Sequence, residues 1–98
     1  MRIELHQEGG FGGLRRPPIV IETEDLEPGH AHELETLAAD LPAGGPGGRI
    51  PIGADLMRYD VVVDDARRRR SATFFEPDVP PVVRELLRLV RDARRRGA

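Results

Sequence analysis

Over the first eight residues hydrophobic and polar positions alternate. Ile3 and Leu5 fall on one side, and Arg2, Glu4, His6 and Glu8 on the other. A period of two is the signature of a half-buried strand, so one is predicted over Arg2 to Glu8. Ile19-Val20-Ile21, followed by Glu22-Thr23, is β-branched and reads as its partner, and Pro17-Pro18 is tolerable at the start of a strand or on an edge. The stretch between them joins the two as a hairpin.

Helical spacing follows. Asp25 is placed to cap a helix and Pro28 suits its first turn. Leu34, Leu37, Ala38 and Leu41 then recur at i, i+3, i+4 and i+7, a single apolar stripe that Pro42 ends. A second hairpin is predicted where Met57, Tyr59, Val61 and Val63 alternate with Arg58, Asp60, Val62 and Asp64. A turn at Asp64-Asp65-Ala66-Arg67 sets Ala72 opposite Tyr59 and Phe74 opposite Met57 on one apolar face. Asp78 with Pro80-Pro81 signals a second helix, whose stripe is Val83, Leu86, Leu87 and Val90.

The pattern predicts a small α+β single domain of order β-β-α-β-β-α, with a four-stranded antiparallel sheet and two helices packed on one face. The domain is expected over residues 1–93. Residues 43–53 (AGGPGGRIPIG) form an irregular Gly/Pro loop, and residues 94–98 form a frayed Arg-rich tail.

Composition narrows the function classes. A chain of 98 residues supports one modest core, and 39% hydrophobic with 33% charged residues fits a small globular protein. With no cysteine there is no disulfide framework and no thiolate metal site. No apolar run is long enough for a membrane span and no secretory leader pattern opens the chain, so a cytoplasmic protein is expected. Charge is uneven: 4 Arg against 9 Asp/Glu in residues 1–49 (net −5), and 11 Arg against 8 in residues 50–98 (net +3).

Candidate chemistry is sparse. A His30-x-His32 pair on a helix diverges instead of sharing a face, and His6 lies on a strand, so the histidines read as solvated surface groups and no metal is expected. Ser71 has no nucleophile elbow around it. The glycines at 9, 10, 12 and 13 follow a strand but no helix follows them, so they lack the anion-directed helix N-terminus of a phosphate cradle. These readings argue against an enzyme. Arg84, Arg88, Arg91 and Arg95 form one stripe of the last helix and Arg67 to Arg70 a run, which raises nucleic acid as a partner. The bland alternative is a solvated face of i, i+4 charge pairs.

The remaining candidate is the tip of the first hairpin: Gly9, Gly10, Phe11, Gly12, Gly13, Leu14 and Arg15. Glycine reaches φ > 0 without steric cost but loses the most conformational entropy on folding, so this clustering points to a special backbone path. Phe11 at its centre is either folded back as a core plug or offered to a protein partner; the residues leave both readings open.

MRIELHQEGGFGGLRR, the acidic stretch into the Leu26–Leu41 helix, the Gly-Ala-Asp before the Tyr59 strand, the Asp64-Asp65 turn and the Val79-Pro80 opening of a closing helix together resemble the emfourin family. The likeness spans about residues 1–91, and its most specific part is the Gly-Gly-Phe-x-Gly tip. Gly12 departs from the alanine expected there, and the Arg94–Arg96 tail is extra. The resemblance implies a proteinaceous inhibitor of a thermolysin-like, protealysin-type zinc metallopeptidase. It implies non-covalent binding at or near the active-site cleft, with no cofactor. A monomer or weak dimer is expected. Such peptidases favour a bulky apolar residue just after the cleaved bond, which suggests Phe11 or Leu14 for that pocket. A non-inhibitory interaction module is the alternative, with a nucleic-acid binder third.

Overall fold

A computed structural model describes residues 1–9, 17–42, 57–76 and 78–97. The alternating segments form strands β1 (Arg2–Glu8), β2 (Ile19–Glu22), β3 (Arg58–Asp64) and β4 (Arg69–Phe75). The helical stripes form α1 (Pro28–Ala39) and α2 (Pro81–Gly97). The sheet is antiparallel with spatial order β2-β1-β3-β4, so the first strand is central and β2 and β4 are its edges. This is the predicted β-β-α-β-β-α domain.

One face of the sheet is apolar because inward positions repeat every second residue. Ile3 pairs with Ile21 and Val63, Leu5 with Ile19 and Val61, and Tyr59 with Phe74. All are buried, together with Leu34 and Ala38 of α1 and Val83, Leu86, Leu87, Val90 and Ala93 of α2. The opposite face carries Glu4, His6, Arg58 and Asp60, and among the described residues no helix covers it. Helix α1 sets out from β2 and ends where Arg70 of β4 donates to the Ala38 carbonyl at 2.6 Å. Helix α2 starts beside β4 and brings Ala93 against β2. The two helices therefore cross the sheet in opposite senses.

Two local expectations are corrected. The second hairpin is offset by two residues: Tyr59 faces Phe74 and Val61 faces Ala72. The turn lies one residue later, at Asp65-Ala66-Arg67-Arg68, where Asp65 and Arg68 exchange backbone bonds of 3.0 and 3.3 Å. Asp65 Oδ1 accepts from the N–H groups of Arg67 and Arg68 at 2.8 and 2.9 Å, an Asx turn that Asp64 is not placed to make. A shift of two keeps every side chain on its face, so the core is unchanged.

Asp25 is not the cap of α1. It closes a 3-10 turn over Thr23–Asp25, and the helix begins after Glu27 with Pro28 in its first turn. The turn is tethered through buried Thr23. Its N–H donates to Met1 O at 2.9 Å, and its hydroxyl lies 2.7 Å from Glu35 Oε2 on α1. Arg94–Arg96 lie in the last turn of α2. Cations at a helix C-terminus complement the exposed carbonyls there, and Ala93 still packs on the core.

Candidate functional site

The candidate tip begins where β1 stops. Gly9 has φ of 110°, a left-handed conformation that a side chain would strain. The β1–β2 ladder ends at Leu5–Ile19 because Pro18 and Pro17 come next and have no N–H to donate. On its other side β1 stays paired with β3 to its last residue, Glu8 opposite Arg58. Gly10, Phe11, Gly12, Gly13, Leu14 and Arg15 lie outside the described residues.

The strand end beneath Gly9 is braced from both faces. On the helical face Gln7 continues the phase of Ile3 and Leu5 and is buried. Its Oε1 accepts from Nη2 of Arg91 on α2 at 2.7 Å. The Arg91 guanidinium carbon also sits 6.0 Å from the ring centroid of Tyr59, the cross-strand neighbour of Gln7, within cation–π range. Tyr59 donates its hydroxyl to Glu76 Oε1 at 3.1 Å, and Arg84 pairs with the other oxygen of Glu76 at 3.2 Å. Arg84 Nε in turn donates to the Val79 carbonyl at 3.2 Å, which ties the start of α2 to the network. Burial, and then the bond to Glu76, pushes the Tyr59 hydroxyl above its ordinary pKa; nearby Arg91 opposes this. On the open face Arg58 pairs with Asp60 at 3.2 Å, and Asp60 accepts from Thr73 at 2.6 Å.

Chemically, the described part of the site is a platform of polar groups that satisfy one another. Among the described residues no three His, Asp or Glu side chains converge as metal ligands. His6 lies on the open sheet face, while His30 and His32 belong to α1. The arginine stripe of α2 is committed within the chain. Arg84 holds Glu76, Arg91 holds Gln7, Arg88 holds Glu85 and Asp92, and Arg95 holds Asp92 at 2.9 Å. Paired guanidiniums fit the solvated-face reading and leave little for a phosphate backbone. Among the described residues no helix is long and apolar enough to cross a membrane.

A family model described as Emfourin matches residues 5–91. The chain belongs to the Emfourin family. Membership implies a metallopeptidase-inhibitor role in general terms. The emfourin match begins on central strand β1 and ends at Arg91, so it includes both partners of the Gln7–Arg91 bond and leaves the last turn of α2 outside. No curated protein and no solved structure matches the chain.

Sequence reasoning did not single out Gln7, Tyr59, Glu76 and Arg91 as a group. Gln7 carried a usable signal: a polar residue in phase with Ile3 and Leu5 occupies an inward position and must find a partner there. That its partner is 84 residues away was not legible.

Proposed function

We propose that this emfourin domain inhibits a thermolysin-like, protealysin-type zinc metallopeptidase, binding it non-covalently at or near the active-site cleft. It acts without a cofactor and catalyses nothing itself. The family match over residues 5–91 carries this reading. The cysteine-free composition fits a cytoplasmic setting.

We place the contact at Gly9 to Arg15, with Phe11 or Leu14 in or over the pocket that takes the residue after the cleaved bond. Two observations support that placement. Gly9 turns the chain out of β1 through a conformation suited to glycine, and the strand end is held by the Gln7–Arg91–Tyr59–Glu76 network. A segment leaving a rigid base sacrifices less entropy on docking than one leaving a loose base. Burying one Phe is worth only about 1.5–3 kcal/mol, so backbone and neighbouring side chains must contribute as well.

The test is titration of wild type and Phe11→Ala, Leu14→Ala and Gly10→Val variants against a purified thermolysin-like peptidase with a small peptide substrate. Stoichiometric loss of activity by wild type, relieved in variants that remain folded, supports both function and site. Inhibition indifferent to all three substitutions moves the contact elsewhere. Absence of inhibition at micromolar excess leaves a non-inhibitory interaction module.

A further inference from the structure

The described sheet ends at β2, and the backbone shows which of its groups face outward. Thr23 N–H donates to Met1 O at 2.9 Å, so Thr23, and by alternation Ile21 and Ile19, direct their backbone groups toward β1. Val20 and Glu22 therefore direct theirs to the open edge. Val20 is also the one exposed large hydrophobic side chain among the described residues, at 42%. On the helical side of this edge runs a groove lined by Ile19, Ile21, Leu26 and Ala93. Arg94 stands with Arg95 beside Ile19, and Asp25 lies beyond Glu22, so the groove is basic at one end and acidic at the other.

We propose that this edge is a homodimer interface, with β2 of a second copy pairing antiparallel to β2 about a two-fold axis at Val20. Cross-strand neighbours must share a face, which restricts a symmetric pairing of this short strand to registers centred on Val20 or on Ile21. Centring on Ile21 sets the exposed Val20 against the charged Glu22. Centring on Val20 sets Val20 against the second copy's Val20 and Ile19 against its Ile21, apolar on apolar throughout. Val20 then exchanges both backbone bonds with its counterpart, and Glu22 N–H donates to the second copy's Pro18 carbonyl. Proline lacks only the donor, so it can still accept that bond.

Charge selects the occupant. A two-fold axis across the strand lays the basic end of one groove over the acidic end of the other, Arg94 to the second copy's Asp25 and the reverse. Among the described residues neither Arg94 nor Asp25 has an ion-pair partner of its own. An arbitrary extended peptide lacks this reciprocal order of charges. A four-residue strand buries less than the roughly 1,200 Å² typical of stable complexes, so the dimer is weak and concentration-dependent. The isologous contact closes on itself and does not propagate.

The test is sedimentation equilibrium of the full chain from low micromolar to millimolar concentration at low salt. The variants are Val20→Arg, Arg94→Asp, Asp25→Arg and the combined Arg94→Asp/Asp25→Arg swap, each checked for fold by circular dichroism. Wild type should approach twice the monomer mass and Val20→Arg should remain monomeric. Each single reversal should weaken association about tenfold, and the swap should recover it. A wild type that stays monomeric at the highest concentration, whether or not it captures an extended apolar peptide at Val20, overturns the proposal. A dimer indifferent to Val20→Arg and to both reversals overturns it equally.

Discussion

Arg91 on the last helix donates to the buried side-chain oxygen of Gln7 on the first strand at 2.7 Å, joining the two ends of the chain beneath the candidate tip. Gln7 is 5% exposed, so its oxygen has little access to water if the guanidinium is removed. Arg91→Ala is therefore expected to lower unfolding free energy by about 1–3 kcal/mol. On a Gln7→Leu background, where no buried acceptor remains, the same substitution should cost less. Urea denaturation of the two single variants and the double variant measures the coupling. Strict additivity would mean that the bond contributes nothing.

Tyr59 makes the stability of the domain sensitive to alkali. Its folded pKa is raised, first by burial and then by the bond to Glu76, so the folded state holds the phenolic proton more tightly than the unfolded chain. The stability from this linkage is fully present below the unfolded value of about 10 and is lost as pH rises through the folded one. As the single tyrosine in a chain without tryptophan, Tyr59 reports its own titration through phenolate absorbance. The expected result is a midpoint above that of the urea-unfolded chain. Tyr59→Phe should remove this contribution to the fall in stability, and an unchanged alkaline profile would refute the assignment.

Two glycines should respond to alanine with opposite signs. At Gly9, with φ of 110°, a Cβ meets the steric penalty of left-handed backbone, about 1–2 kcal/mol. At Gly29, in the first turn of α1, a Cβ has no neighbour within 4 Å, so alanine removes the entropy cost of glycine and should stabilise by about 0.5–1 kcal/mol. Thermal melts of Gly9→Ala and Gly29→Ala decide both. Inhibition assays of the folded Gly9→Ala protein then ask whether the departure angle of the tip matters.

The strands and helices were legible because their periods are local: Ile3 with Leu5, Tyr59 with Val61 and Val63, Val83 with Leu86, Leu87 and Val90 each state which face is inward. The spatial order was less accessible. Placing β1 between β2 and β3 depends on pairings such as Leu5 with Val61, which no local pattern encodes. Capping failed at Asp25 because Thr23, buried against Met1 and Glu35, draws the chain into a 3-10 turn before the helix starts. At the candidate site Gly9 was legible as a glycine needing special backbone, whereas the Gln7–Arg91–Tyr59–Glu76 brace is purely tertiary.

The hairpin register shows how one carboxylate settles what two adjacent aspartates left ambiguous. Asp64 and Asp65 are both good turn openers by composition, but only Asp65 accepts from the N–H groups two and three residues on. Those same bonds, Arg67 first and Arg68 second, hold the Asp65 carboxyl below its ordinary pKa. A depressed folded pKa contributes stability that is present above the unfolded value and is lost as pH falls through the folded one. Asp65→Asn keeps the acceptor and should retain the register while removing this contribution to the acid dependence. Asp65→Ala loses the acceptor and should destabilise the β3–β4 turn. Amide hydrogen exchange of Arg67 and Arg68 is the readout: protection should persist in Asp65→Asn and fall in Asp65→Ala. Equal protection in both variants would mean that the backbone pair between Asp65 and Arg68 sets the register without help from the side chain.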